Sequence, residues 1–69
     1  MSYMTEQREK IKIAAVNTVR EWTLQQLSEG KNPTLDDFLE QFPNFDVRAL
    51  HESMGKEMFN AKHGLPYTG

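Results

Sequence analysis

The sequence predicts an all-α fold, a small three-helix domain with a long first helix, a short second helix and a medium third helix. A long stretch before Gly30 contains no glycine or proline, and apolar residues after Thr34 recur at helical spacing. Pro43 and Gly64 stand where the two later helices should end. The expected helices cover residues 5–29, 34–42 and 46–63, with no sheet.

The first helix should start after Thr5 as N-cap and end before Gly30. At about 100° per residue its apolar side chains fall on two nearly opposite sides. One side holds Met4, Ile11, Ala15, Val19 and Trp22. The other holds Ile13, Val16, Leu24 and Leu27, with Arg20 and Thr23 among them. A helix that is apolar on two sides must have both sides covered.

Two interpretations of this helix stay open. Either the two later helices flank it and hide both sides, or one side meets another molecule. We assign the side with Trp22 to the internal core because it carries the largest side chain. The opposite side is then the expected partner-binding surface, formed by Ile13, Val16, Arg20, Leu24 and Leu27.

The second helix opens with Thr34-Leu35-Asp36-Asp37, a capping-box pattern. Its apolar stripe consists of Leu35, Phe38, Leu39 and Phe42. The third helix should take Asp46 as N-cap and carry the stripe Val47, Leu50, Met54, Met58 and Ala61. We expect Phe42, Phe45, Met54 and Met58 to pack against part of the first helix. Gly55, inside the third helix, implies either close packing or a bend.

The composition is that of one folded domain, residues 1–69, with residues 1–4 and 65–69 as flexible or tail segments. The chain is 38% hydrophobic and 26% charged and has no cysteine. Without a disulfide framework or a continuous apolar run, we expect a cytoplasmic protein that does not enter a membrane.

The charge distribution argues against strong nucleic-acid binding. Net charge is −2. Residues 1–30 carry four acids and four bases, residues 31–46 four acids and one base, and residues 47–69 two acids and three bases. Affinity for polyanions depends on Lys and Arg contacts with phosphates, and only the last segment leans basic.

The sequence offers no catalytic, cofactor-binding or metal-binding motif, so we expect no enzyme, no cofactor and no small-molecule substrate. His51 and His63 are twelve residues apart on one helix, too far to share a metal. Asp36, Asp37 and Glu40 are explained by the favourable interaction of acids with a helix N-terminus.

The second helix, its link and the third helix resemble the helix-turn-helix class, which places its second helix in the DNA major groove. The resemblance covers about 30 residues, and the turn has Pro43 and Asn44 with no glycine. It implies a nucleic-acid-reading helix, residues 47–63, that presents Arg48, His51, Glu52 and Lys56.

Phe59 lies off the stripe of the third helix. It is either an exposed anchor for a partner or an apolar contact of Leu65, which follows the expected left-handed Gly64. We expect the second.

These observations favour a small non-enzymatic interaction or regulatory protein that uses its first helix for self-association or for binding another protein. A helix-turn-helix nucleic-acid-binding protein is the alternative.

Overall fold

The computed structural model describes the backbone of residues 3–66 and the side chains of residues 7–66. It contains three α-helices, and no strand occurs in this range. They are α1 (Tyr3–Ser28), α2 (Leu35–Gln41) and α3 (Arg48–Lys62), with a 3₁₀ turn at Pro43–Phe45 before α3. The predicted all-α architecture of a long, a short and a medium helix is confirmed.

Both predicted glycine stops are confirmed by backbone geometry. Gly30 and Gly64 have φ values of 77° and 67°, the left-handed region that glycine adopts without steric cost. After α1, the Lys31 N–H donates to the Gln26 carbonyl over 3.0 Å. After α3, the Leu65 N–H donates to the Asn60 carbonyl over 2.8 Å. Both are the six-to-one bond of a Schellman motif.

The predicted capping box of α2 is present. Thr34 Oγ1 accepts from the Asp37 N–H over 3.2 Å, and Asp37 Oδ2 accepts from the Thr34 N–H over 3.3 Å. The pair satisfies two backbone donors at the helix start. The helix ends at Gln41, and Phe42 caps it before Pro43.

Two predicted helix starts differ from the structure. Thr5 lies inside α1, which includes Tyr3 and Met4, and so does not cap it. Asp46 is not the N-cap of α3. Its N–H donates to the Pro43 carbonyl at the end of the 3₁₀ turn, and its carboxylate lies 3.1 Å from His51 Nε2. Val47 takes the N-cap position and provides no side-chain bond.

The core forms around the fully buried ring of Phe38. The ring centroid lies 5.6 Å from that of Trp22, 4.9 Å from that of Phe42 and 6.2 Å from that of Phe45. The rest of the cluster is Ala15, Val19, Leu50, Met54 and Met58, with Leu35 and Leu39 packed against it. The predicted packing of Phe42, Phe45, Met54 and Met58 is confirmed.

Helices α1 and α3 run in the same direction. Ile11 and Leu50 line one groove, and Arg20 meets Glu57 further along both helices. The segment between α1 and α3 must therefore return along α1, and α2 forms its centre. The result is a thin slab with extents of 43 × 25 × 15 Å.

Candidate interaction surface

The predicted partner-binding residues divide between core and surface. Ile13 and Leu24 keep 47% and 43% of their surface exposed, whereas Val16 is buried. Leu27 is half-buried, and Arg20 bonds across to α3. The division arises because α3 covers one flank of this side of α1 and leaves the other open.

The side assigned to the core is also covered only in part. Ala15 and Val19 are fully buried and Trp22 packs against the core, as expected. Ile11 is 49% exposed, which differs from its assignment. The side chain of Met4 lies outside the described residues.

One ion pair joins α1 to α3 in the middle of the slab. Arg20 Nη1 donates to Glu57 Oε1 over 2.7 Å. The Glu57 side chain is 3% exposed and that of Arg20 is 29% exposed. A buried carboxylate needs a cation partner, and Arg20 meets that need within the chain. Arg20 therefore lies at the edge of the open surface with its charge already compensated.

Glu57 is a residue that the sequence analysis did not single out, although the sequence contains a signal for it. Leu50, Met54 and Ala61 occupy the buried stripe of α3, and residue 57 is the intervening position of the same stripe. An acid at a core position requires a cation from a neighbouring helix. Arg20, set among the apolar residues of α1, is that cation.

The open side of α1 forms a nearly straight row. Ile13 and Leu24 are eleven residues apart, so they point within about 20° of each other and lie roughly 17 Å apart along the axis. The exposed residues Asn17 and Glu21 lie between them along the axis, Asn17 within about 40° of both and Glu21 at the border of the row, about 60° from Leu24. We call these four residues the outer face.

A groove lies where α1 extends beside the first turn of α3. Its volume is about 550 Å³. We call it the N-terminal groove; its lining residues are Arg8, Glu9, Ile11, Lys12, Val47, Ala49 and Leu50. Ile11 and Val47, both close to half exposed, supply apolar surface, and Arg8 and Lys12 supply positive charge.

The residues of the helix-turn-helix alternative lie at the start of α3. Arg48, Glu52 and Lys56 are exposed, and His51 Nε2 lies 3.1 Å from Asp46 Oδ1. Six residues, 42–47, separate α2 from α3, whereas helix-turn-helix motifs use three or four. The link is therefore longer than in that class, and the Asp46 carboxylate lies beside the reading-helix histidine.

Phe59 stays exposed, although the backbone motif expected after α3 forms. Its ring lies 4.2 Å from the His63 ring, centroid to centroid, and Leu65 is 43% exposed. Leu65 therefore does not bury Phe59, and an aromatic pair marks the end of α3.

The described acids and histidines do not assemble into a metal site. In residues 7–66, no three His, Asp or Glu side chains come together in a way that could hold a metal ion. Asp37 belongs to the capping box, and Asp36 and Glu40 are exposed on α2. None of the helices in the described range is long and apolar enough to cross a bilayer.

Comparison with known proteins gives no match to a family model, a curated protein or a solved structure.

Proposed function

We propose that this chain is a non-enzymatic interaction protein that forms a symmetric homodimer through the outer face of α1. The observation that carries the proposal is the exposure of Ile13 and Leu24 on one side of α1, while Ala15, Val16 and Val19 of the same helix are buried. Packing these two side chains against a second helix would remove their apolar surface from water.

The spacing of these two residues is self-complementary in an antiparallel pair. If Ile13 packs against Leu24 of a second copy, the two-fold axis passes between positions 18 and 19, and the same contact occurs twice. Asn17, a neutral residue that can accept a hydrogen bond, then lies opposite Arg20 of the other copy. A parallel pair would instead place the exposed carboxylate of Glu21 beside that of the other Glu21, a contact between like charges. Electrostatics therefore favours the antiparallel pair.

The shape of the molecule also suits a second copy. The slab is only 15 Å thick, and no element of the described range covers the outer face. A standard interface takes about 800 Å² from each partner, and the whole chain exposes 5082 Å². Pairing two slabs through α1 would cover both exposed apolar residues of each outer face and thicken a small core, a common route to stability for small domains.

Sedimentation at concentrations from micromolar to millimolar tests the proposal. We expect the wild type to approach twice the chain mass and Leu24→Lys to sediment as a monomer with unchanged circular dichroism. Leu65→Lys is the matched control because Leu65 has the same exposed fraction, 43%, but lies beyond α3. It should retain the dimer. A monomeric wild type, or a dimer that Leu24→Lys leaves intact, would contradict the proposal.

A further inference from the structure

We infer that the N-terminal groove binds an amphipathic helix of another protein, one that carries acidic residues beside its apolar ridge. This site is separate from the outer face and does not depend on dimer formation. The inference rests on the shape of the groove, its apolar floor and the charge of its rim.

The groove exists because the row of α1 side chains that faces α3 changes from apolar to basic towards the N-terminus. Ala15 and Val19 are buried in this row, and the same helical spacing continues towards the N-terminus as Lys12 and Arg8. Long basic side chains do not form a dry contact with Val47 at the start of α3. The two helices therefore leave a groove open instead of continuing the core.

The floor of the groove is apolar. Ile11 from α1 and Val47, Ala49 and Leu50 from the start of α3 line it. An apolar ridge with anchors at i, i+3 or i+4 and i+7 fits such a surface, as in other helix-in-groove complexes.

The rim of the groove selects the charge of the partner. Arg8 and Lys12 outnumber Glu9 among the charged lining residues, so the rim keeps a net positive charge. The two bases are one turn apart on α1, and like charges at this spacing repel. Among the described side chains, no acid forms an ion pair with either base. Acidic residues beside the ridge of a bound helix would supply the missing counter-charges. A nucleic acid would use the two bases but leave the apolar floor exposed to water.

Synthetic four-turn amphipathic peptides provide the probe. All share a leucine ridge, and their flanking positions are all Glu, all Gln or all Lys. Fluorescence anisotropy should show that the Glu peptide binds at least tenfold more tightly than the Lys peptide, with the Gln peptide between them. Ile11→Ser should weaken all three. Failure of every peptide to bind, or equal binding of the Glu and Lys peptides, overturns the inference.

Charge reversal makes the test specific. The double variant Arg8→Glu with Lys12→Glu should invert the order of the peptides, so that the Lys peptide binds best. Lys10→Glu is the control, because residue 10 is an exposed base that does not line the groove. An order that Arg8→Glu with Lys12→Glu leaves unchanged, or that Lys10→Glu inverts equally, overturns the inference.

Two further measurements distinguish the groove from a general polyanion site and from the dimer interface. An oligonucleotide should not displace the Glu peptide. Displacement would show that the groove binds polyanions in general and not specifically an acidic helix. Leu24→Lys should keep the peptide affinity even if it abolishes the dimer. If that variant loses the peptide as well, the groove is not an independent site. If the protein does not dimerise but still binds the Glu peptide, the inference about the groove stands.

Discussion

Arg20 Nη1 lies 2.7 Å from Glu57 Oε1 and links the middle of α1 to a position in α3 that is otherwise buried among apolar residues. Removing only the cation leaves a carboxylate inside the protein without a partner. Such a charge costs several kcal/mol, whereas replacing both members of a buried pair by apolar residues is often neutral or stabilising.

Arg20→Met should therefore lower the free energy of unfolding by about 3 kcal/mol. The double variant Arg20→Met with Glu57→Leu should recover most of that loss. Urea denaturation followed by circular dichroism measures both. A double variant no more stable than Arg20→Met would show that the loss of stability in Arg20→Met does not come from leaving Glu57 unpaired.

Thr23 gives a second test because its hydroxyl is buried without a hydrogen-bond partner. An unsatisfied buried polar group costs about 1–3 kcal/mol. Thr23→Val should raise the free energy of unfolding by about 1 kcal/mol. Thr18→Val is the control, since Thr18 Oγ1 donates to the Ala14 carbonyl over 2.8 Å, and it should bring no gain. Equal effects at the two sites would show that the buried hydroxyl of Thr23 carries no such cost.

The glycines of α3 should respond in opposite ways. A Cβ built on Gly55 meets nothing within 4 Å, so close packing does not account for this glycine. Gly55→Ala should stabilise the protein by up to about 1 kcal/mol, because alanine has the higher helix propensity. Gly64→Ala should destabilise it, because residue 64 has φ of 67°. Thermal unfolding of the two variants checks the signs, and a shared sign would contradict the prediction.

The start of α3 provides a direct check of the observed cap. Because Val47 holds the N-cap position without a side-chain bond, Val47→Asp should add a cap and about 1 kcal/mol of stability. Asp46→Ala should change stability by less than about 0.5 kcal/mol, since the side chain of Asp46 caps no helix and its contact with His51 is exposed to solvent. Denaturant midpoints distinguish the two. A large loss of stability in Asp46→Ala would contradict this assignment and indicate that Asp46 caps α3.

Local signals in the sequence predicted the helices well. Gly30, Gly64 and the Thr34 capping box each act within a few residues of the chain, so their chemistry is readable without a tertiary structure. Thr5 and Asp46 are the exceptions. Thr5 lies inside α1, and Asp46, which ends the Pro43–Phe45 turn, precedes the N-cap Val47 by one residue.

The interaction surface was harder to predict because it depends on where α3 lies. Periodicity grouped Val16 with Ile13 and Leu24, and only the tertiary packing separates the buried residue from the exposed ones. The N-terminal groove involves residues far apart in sequence, Ile11 and Val47 among them, so no local pattern identifies it. The ion pair of Arg20 with Glu57 was readable in principle, since both are charged residues at positions of apolar stripes.

The dimer through the outer face of α1 is the central claim, and an intermolecular distance tests it most directly. The chain has no cysteine, so Ser28→Cys gives a single site for a spin label at the exposed end of α1. In the antiparallel pair, the two label positions lie about 30 Å apart. This distance combines the rise of about 1.5 Å per residue, counted along each helix from the two-fold axis, with the separation between the two helix axes. Pulsed electron–electron dipolar spectroscopy should give a single distance near that value. Parallel helices would place the labels about 10 Å apart, which broadens the continuous-wave spectrum instead of giving the pulsed signal at about 30 Å. That broadening, or no dipolar signal at millimolar concentration, would contradict the claim.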